Sequence, residues 1–378
     1  MATGGNKPYQ RAMNRSHVLE ALRRRPGASR RDLALDLGLD RSTITLIATE
    51  LIEQGLVEET GTVPGASGRG RPMVGLRVRD ERLCVLGVEL HAHGFRAVVR
   101  DNAGSIHDHL EGSHALRGAT PDDIAALLAD VYRAASSPEP VVGMGCAIPG
   151  LVDTVYPAVG YSRELDVRDC ILPQRITVHN GNTLPVVFDN DARCGAWGEL
   201  HARNGSATDL MFVSAQKQDS HFGVGLGIVA AGSVISGARH ASGEFYSPDW
   251  QGDERSQFSL GHEELAAVGN DPQVTKRVLA EIVRGLVPSV SIIDPEAVAF
   301  GGFLRERFSD LLAVAKEIDS AARIIRLFEP ARLGEDEITA GAAGMFHERL
   351  FDIPGFTASA AEHAVSWDAV TQILEAAS

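Results

Sequence analysis

Over residues 1–80 the apolar positions recur at helical spacing in three separate bursts. Val18, Leu19 and Leu22 form the first, Leu33, Ala34 and Leu37 the second, and Ile44, Ile47, Ala48, Leu51 and Ile52 the third. Each predicts a helix with one apolar face, the first over about residues 14–25. Ser29 and Asp40 stand where N-caps are expected and Gly38 where a helix stops. On the third helix the opposite face carries Ser42, Thr45, Leu46, Thr49 and Glu53, which are short and mostly uncharged. Gly55 ends it, and "LVEETGTVPGASGRGRPMVGLRV" predicts strand, exposed loop and strand. Helix, turn, helix and a two-stranded wing make a winged helix-turn-helix over residues 1–80.

From about residue 82 the pattern changes to strands joined by crossover helices. "LCVLGVEL" and "FRAVVRDNAGSI" predict a hairpin, and "VVGMGCAIPGLVD" a strand running into a Pro-Gly turn. In "GVGLGIVAAGSVISG" the glycines at 223, 225 and 227 share one strand face, because side chains alternate. Such a face admits a ligand or simply another backbone. In "VVFDNDARCGAWGEL" an apolar strand stops on Asp189, Asn190 and Asp191 and resumes as a helix of small residues. Ligands of parallel α/β sheets bind at strand carboxyl ends, yet Asp or Asn there also serves as a helix cap. Strand alternation turns Asp189 away from the face used by Asn190, or toward a cap.

Charge separates the two parts. The chain of 378 residues has a net charge of −14, but residues 1–80 hold 13 Lys and Arg against 9 Asp and Glu, while the remainder holds 23 against 41. A basic head on an acidic body suits a nucleic-acid regulator, as it also suits a solvated charged helix. Arg11, Arg15, Arg23, Arg24, Arg25, Arg30 and Arg31 are candidate phosphate contacts. Arg41, Ser42, Thr43, Thr45 and Leu46 are candidates for DNA contact, the outward face fitting a major groove, where hydroxyls reach base edges and Leu46 lies against a thymine methyl. Arg69 and Arg71, in Gly68-Arg69-Gly70-Arg71-Pro72, are candidates for a minor groove.

No apolar run of membrane-spanning length occurs, and the first residues lack the apolar centre of a signal peptide. A cytoplasmic protein without membrane partners is expected. Cys84, Cys146, Cys170 and Cys194 are scattered, with no Cys-x-Cys or Cys-x-x-Cys pair, so they are expected to be reduced core thiols.

Taken together, "AIPGLVD", "FDNDARCGAWGE", "GVGLGIVAAGSVISGARHASGE" and "DPEAVAFGG" resemble the ROK family (repressor, open reading frame, kinase) of sugar kinases and sugar-responsive repressors. The winged helix with its Gly-Arg-Pro wing resembles the repressor branch. The resemblance implies an α/β fold: an actin-like, ribonuclease H-like body of two lobes over residues 81–378, with a sugar cleft between the lobes, behind the winged helix-turn-helix of residues 1–80. It implies that Asn190 bonds sugar hydroxyls, that Asp191 matches the general base of the kinases, that Glu244 is a second sugar-contacting acid, and that Gly150 belongs to a turn closing over the ligand.

Where family kinases carry an Asp-x-Gly-Gly-Thr turn for phosphate, the chain reads Glu89-Leu90-His91-Ala92-His93-Gly94. Phosphoryl transfer needs phosphates held as firmly as the acceptor, so no enzymatic activity is expected, and no cofactor. Gly301-Gly302, which approaches the nucleotide base in kinases, is expected to remain for the strand-to-helix turn. Ser247 replaces the histidine that many members use for sugar and zinc, and the Cys-x-Cys cluster is missing, so no metal is expected. His240 and His262 are the possible substitutes. Tyr246, Asp249 and Trp250 either reshape the site or pack.

The expected function is a transcriptional regulator of carbohydrate metabolism, a repressor, that binds double-stranded operator DNA as a homodimer or homotetramer and responds to a sugar or polyol effector. Two alternatives stand beside it: a sugar kinase with a DNA-binding head, and a regulator whose vestigial cleft has ceded control to a protein partner. "QVTKRVLAEIVRGLV" and "WDAVTQILEAAS" are amphipathic and suit an interface or internal packing.

Overall fold

The computed structural model describes residues 7–63, 73–178, 181–218, 221–252, 256–352 and 365–377. The head opens with α1 (Lys7–Arg24), longer at its start than the apolar spacing indicates. It continues with β1 (Ala28–Ser29), α2 (Arg30–Leu37) and α3 (Arg41–Glu53). Ser29 caps α2 through a reciprocal bond pattern with Asp32, and Gly38 ends it with φ 63°, a left-handed position that glycine adopts without a Cβ penalty. Asp40 occupies the N-cap of α3 without a side-chain capping bond, so its expected role is met by position only. β2 (Val57–Val63) and β3 (Met73–Val78) form the wing strands, in the sheet order β1-β3-β2. Arg69 and Arg71 lie outside the described residues.

The first lobe is a six-stranded sheet with the order β11-β12-β7-β4-β5-β6. Its strands are β4 (Cys84–His91), β5 (Gly94–Arg100), β6 (Ile106–Ser113), β7 (Val141–Ile148), β11 (Arg175–Thr177) and β12 (Thr183–Asn190), with α4 (Pro121–Ala134) between β6 and β7. β12, β7 and β4 run parallel, and the remaining pairs are antiparallel. A meander of β8 (Leu151–Asp153), β9 (Ala158–Ser162) and β10 (Val167–Ile171) follows β7. β12 runs into α5 (Asp191–Ala202).

The second lobe is a five-stranded sheet with the order β15-β14-β13-β16-β17, built from β13 (Leu210–Gln218), β14 (His221–Ala230), β15 (Ser233–Val234), β16 (Ala297–Gly302) and β17 (Phe328–Pro330). Its helices are α6 (His262–Leu265), α7 (Pro272–Ile293), α8 (Phe303–Glu306) and α9 (Phe308–Lys316), and α10 (Glu337–Phe351) follows them in the chain and returns to the first sheet. α5 packs on β13 and β14, α10 packs on β4 and β7, and the two helices pack on each other between the sheets. The glycine face of β14 receives this helix and not a ligand: a Cβ on Gly227 would lie 2.4 Å from the Ala192 carbonyl oxygen. Tight strand–helix packing explains the glycines at 225 and 227.

The chain then returns to the head. α11 (Trp367–Ala376) joins α1 and α10 in one continuous apolar core that includes Val18, Leu22, Phe346, Leu350, Trp367 and Val370. Head and body therefore share a core across their covalent boundary. All four cysteines are free and buried. Among the described residues no helix is long and apolar enough to cross a membrane.

Candidate functional site

The stretch "VVFDNDARCGAWGEL" becomes the junction of β12 and α5. Asn190 is the N-cap: its Oδ1 accepts the N–H groups of Ala192 at 3.0 Å and Arg193 at 3.3 Å. Its amide also donates to the Gly150 carbonyl at 3.0 Å. Cap and site are thus one residue, and the capping bonds fix an amide against the turn between β7 and β8. Gly150 sits at φ 116°, and a Cβ there would lie 2.4 Å from the Tyr161 carbonyl oxygen, so the turn admits only glycine without displacement.

Asp189 is neither a cap nor turned to solvent. It is buried and bonded to Arg193. A buried carboxylate needs a partner, and the arginine one helical turn away supplies it.

Asp191 opens α5. Burial raises its carboxyl above the ordinary range, opposed by the Ala192 N–H, Arg193 and Asn190. Glu244 pairs its backbone with Gly225 of β14, which places it on the second lobe, while Asn190 and Gly150 belong to the first. Burial raises Glu244 as well, and the charge of Asp191 adds to the shift. Asn190, Asp191, Glu244 and Gly150 therefore meet across the crevice between lobes.

Two further acids share this field, and only one stood in a motif considered above. Glu164, between β9 and β10, accepts the Ala92 N–H at 2.9 Å; burial, with Asp191 adding, pushes its carboxyl up to about 7. Glu89, at the end of β4, is pushed up to about 8, by burial first, with Arg96 opposing and Asp191, Glu337 and Glu164 adding. Glu164 was invisible in the sequence because nothing in "SRELDV" marks a residue that folds back onto a distant hairpin. The hairpin turn itself, Ala92–His93, contains no glycine.

Beyond Glu89 lies a cavity of about 580 Å³ lined by Arg96, Gln216, Lys217, Gly302 and Glu337 among others. Glu337 accepts the Gly302 N–H at 2.6 Å, and burial pushes its carboxyl to about 7. Gly302, at φ 53°, turns β16 into α8, the role expected of the glycine pair.

His240 bonds neither sulfur nor a cluster of acids: its Nε2 lies 3.3 Å from Asp153 Oδ1. His262 begins α6, and Ser247 accepts the Asp249 N–H. Among the described residues no group of three or more His, Cys, Asp or Glu is placed to hold a metal ion. Tyr246 and Trp250 pack on each other at the surface, with ring centres 4.7 Å apart, and Asp249 pairs with Arg284.

On the head, Arg41, Ser42, Thr45 and Leu46 are exposed along α3, Leu46 at 64 %, and Thr43 is half-buried. Thr45 donates its hydroxyl proton to the Arg41 carbonyl, which leaves the hydroxyl oxygen to accept. Leu35 on α2 is also exposed, a second apolar side chain that the periodicity did not single out.

The expected phosphate arginines divide. Arg15 and Arg23 face the body, Arg15 on Asp368 and Thr371 and Arg23 on Glu348, because α1 docks there. Arg11, Arg24, Arg25 and Arg30 pair with Glu50, Glu20, Asp36 and Glu59. Arg31 and Arg41 are exposed and have no ion pair to another described residue.

A two-lobed body with a crevice behind a winged head defines a class, and comparison with known proteins places it. The ROK family model matches residues 85–245, and a winged helix-turn-helix DNA-binding model matches residues 14–58. The chain thus carries a ROK family domain and, ahead of it, a winged helix-turn-helix domain.

Among similar proteins is the xylose repressor of Caldicellulosiruptor bescii, 26 % identical over 246 residues, covering 64 % of this chain and 59 % of the relative. The chain accordingly spans less than two thirds of that relative's length. A solved ROK family transcriptional regulator, a homologue of the E. coli MLC protein, superposes with a TM-score of 0.67 at 20 % identity, covering 96 % of this chain and 100 % of the other. A ROK family glucokinase from Streptomyces griseus, solved with glucose and AMPPNP, superposes with a TM-score of 0.54 at 20 % identity, covering 69 % of this chain and 98 % of the other. These likenesses establish the actin-like, two-lobed fold.

Proposed function

We propose that this chain is a sugar-responsive transcriptional repressor of carbohydrate metabolism, which binds operator DNA through its head and a sugar or polyol between its lobes. One observation carries the reading: an exposed α3 face bearing Arg41, Ser42, Thr45 and Leu46 is joined by a continuous core to a body whose crevice gathers Asn190, Asp191 and Glu244. An amide beside carboxyls offers the donors and acceptors that a hydroxyl-rich ligand needs. The names of the relatives make xylose the first sugar to test. Arg69 and Arg71 extend the DNA contact from the wing. Two heads on symmetric half-sites gain affinity from linkage, so the working form is a homodimer or homotetramer in the cytoplasm.

Phosphorylation of the ligand is not part of this function. A phosphate at the β4–β5 turn needs free backbone N–H groups, and that of Ala92 is already held by the Glu164 carboxyl.

The test is fluorescence anisotropy on duplexes selected from a random pool, with and without xylose and a panel of other monosaccharides and polyols. A selected sequence whose affinity changes with one sugar is expected. No enrichment of any duplex, or ATP-dependent turnover of a sugar that Asp191→Ala abolishes, would overturn the proposal.

A further inference from the structure

Two helices leave the cleft together and end together beneath the head. α5 begins at Asp191 and carries His201 in its last turn; α10 begins at Glu337, on the cavity wall, and carries Glu348 in its last turn. Where they cross, backbone meets backbone. A Cβ on Gly198 would lie 2.4 Å from the Glu337 carbonyl oxygen, and one on Gly341 would lie 1.8 Å from that of Cys194. With no layer of side chains to absorb sliding, the close-packed pair transmits displacement instead of accommodating it.

At the far end one carboxylate oxygen gathers three elements. Glu348 Oε1 accepts from His201 Nε2 at 2.9 Å and from Arg23 Nη1 at 2.6 Å, and Arg23 belongs to α1 of the head. The Arg23 guanidinium also lies 4.9 Å from the centre of the Phe351 ring. Burial acts to raise the Glu348 carboxyl, but the hydrogen bonds from His201 and Arg23 outweigh it and hold the group at about 2. The joint is therefore charged under ordinary conditions. Apolar contacts already seal the interface, and a half-buried ion pair such as this one adds little to stability by itself.

We infer that Glu348 is a positioning residue through which the α5–α10 pair sets the orientation of the DNA-binding head, so that engagement of Asn190 and Asp191 is delivered to α1 by way of His201 and Arg23. The inference rests on the reading of the chain as a ligand-responsive regulator. Hydrogen bonds weaken steeply with misalignment, so a small shift of His201 changes how Glu348 holds Arg23. Packed interfaces convert such shifts into discrete rearrangements.

The experiment perturbs the cleft end and reads the head. Backbone amide exchange of α1 is measured in the full chain for wild type, Asp191→Asn, Glu348→Gln and the double variant. Asp191→Asn is expected to change α1 exchange by about two- to thirtyfold, and the change is expected to fall below about twofold in the Glu348→Gln background. Arg23→Gln should abolish the response likewise, and Arg23→Lys should restore part of it. A purely structural ion pair predicts otherwise: Glu348→Gln loosens α1 by itself, yet leaves the response to Asp191→Asn undiminished. That result, or an α1 indifferent to Asp191→Asn, overturns the inference. Should Glu348→Gln fail to fold, the Arg23 pair of variants carries the same comparison. Exchange requires neither sugar nor DNA, so failure here removes the coupling alone, whereas a chain that binds neither removes the functional reading.

Discussion

Arg193 reaches back one helical turn to Asp189, Nε to Oδ1 at 2.5 Å, and the pair is buried at the junction of strand and helix. The guanidinium is fully engaged: Nη1 donates to the His240 carbonyl and Nη2 to that of Val152, each at 2.9 Å. One side chain thus ties α5 to the meander of the first lobe and to the loop that follows β15 in the second.

Asp189→Ala leaves that arginine charged and buried without its carboxylate. Breaking a buried pair from one side costs about 3–5 kcal/mol, so urea unfolding should show a loss of that order. A loss under about 1 kcal/mol would mean that the site is wetter than its burial implies.

Asp191→Ala should behave in the opposite way. Burial already penalises its charge, so removal leaves stability nearly unchanged or slightly raised. Sugar affinity, measured by calorimetry, should fall by about one to two decades, the value of a charged hydrogen bond of about 1.5–3 kcal/mol. Asn190→Ala loses cap and ligand contact together, and unfolding should register about 1 kcal/mol for the cap. Unaltered sugar affinity in both variants would leave the cap as the only role of the motif.

The divided arginines make a prediction about salt. Arg41→Ala should weaken DNA binding and reduce the slope of log affinity against log salt by about 1, as loss of one phosphate contact does. Arg24→Ala, already neutralised by Glu20, should change the slope much less. Anisotropy titrations over a range of salt decide it, and equal slopes for the two variants would refute the assignment of Arg41.

Glu89 links the cleft to pH. Its folded value of about 8 lies above the ordinary 4.5, so the folded state binds its proton more tightly. The stability it contributes is complete below about pH 4.5 and is lost as pH rises through about 8. Glu89→Gln should flatten that decline, melting higher than wild type at about pH 9 and no higher at about pH 4. Parallel melting curves across this window would show that Glu89 is solvated after all.

The head was largely legible because its determinants are local, although α1 begins at Lys7, well before its apolar spacing does. Apolar spacing set three helices, Ser29 and Gly38 set two of their ends, and a glycine-rich stretch set the wing. The cleft was half legible. Asn190, Asp191, Glu244 and Gly150 stood in motifs, and the structure brings them to one crevice. Glu164 escaped because its importance comes from a contact with Ala92, 72 positions away in sequence. The partner of Asp189 was not legible, because strand alternation sets the face a side chain leaves from and says nothing of an arginine arriving from the next helix. Arg15 and Arg23 looked like phosphate ligands for a related reason: nothing local reveals that Asp368 and Glu348 lie beneath them.

Arg15 bonds Asp368 across a sequence separation of 353 residues. A chain emerging from the ribosome makes Arg15 and Arg23 long before Asp368, Thr371 and Glu348 exist to receive them. The side of α1 that carries these arginines therefore waits through most of translation for its partners, and it acquires its final seat only after the body has been made. A head severed from the body would keep both guanidinium groups without those partners.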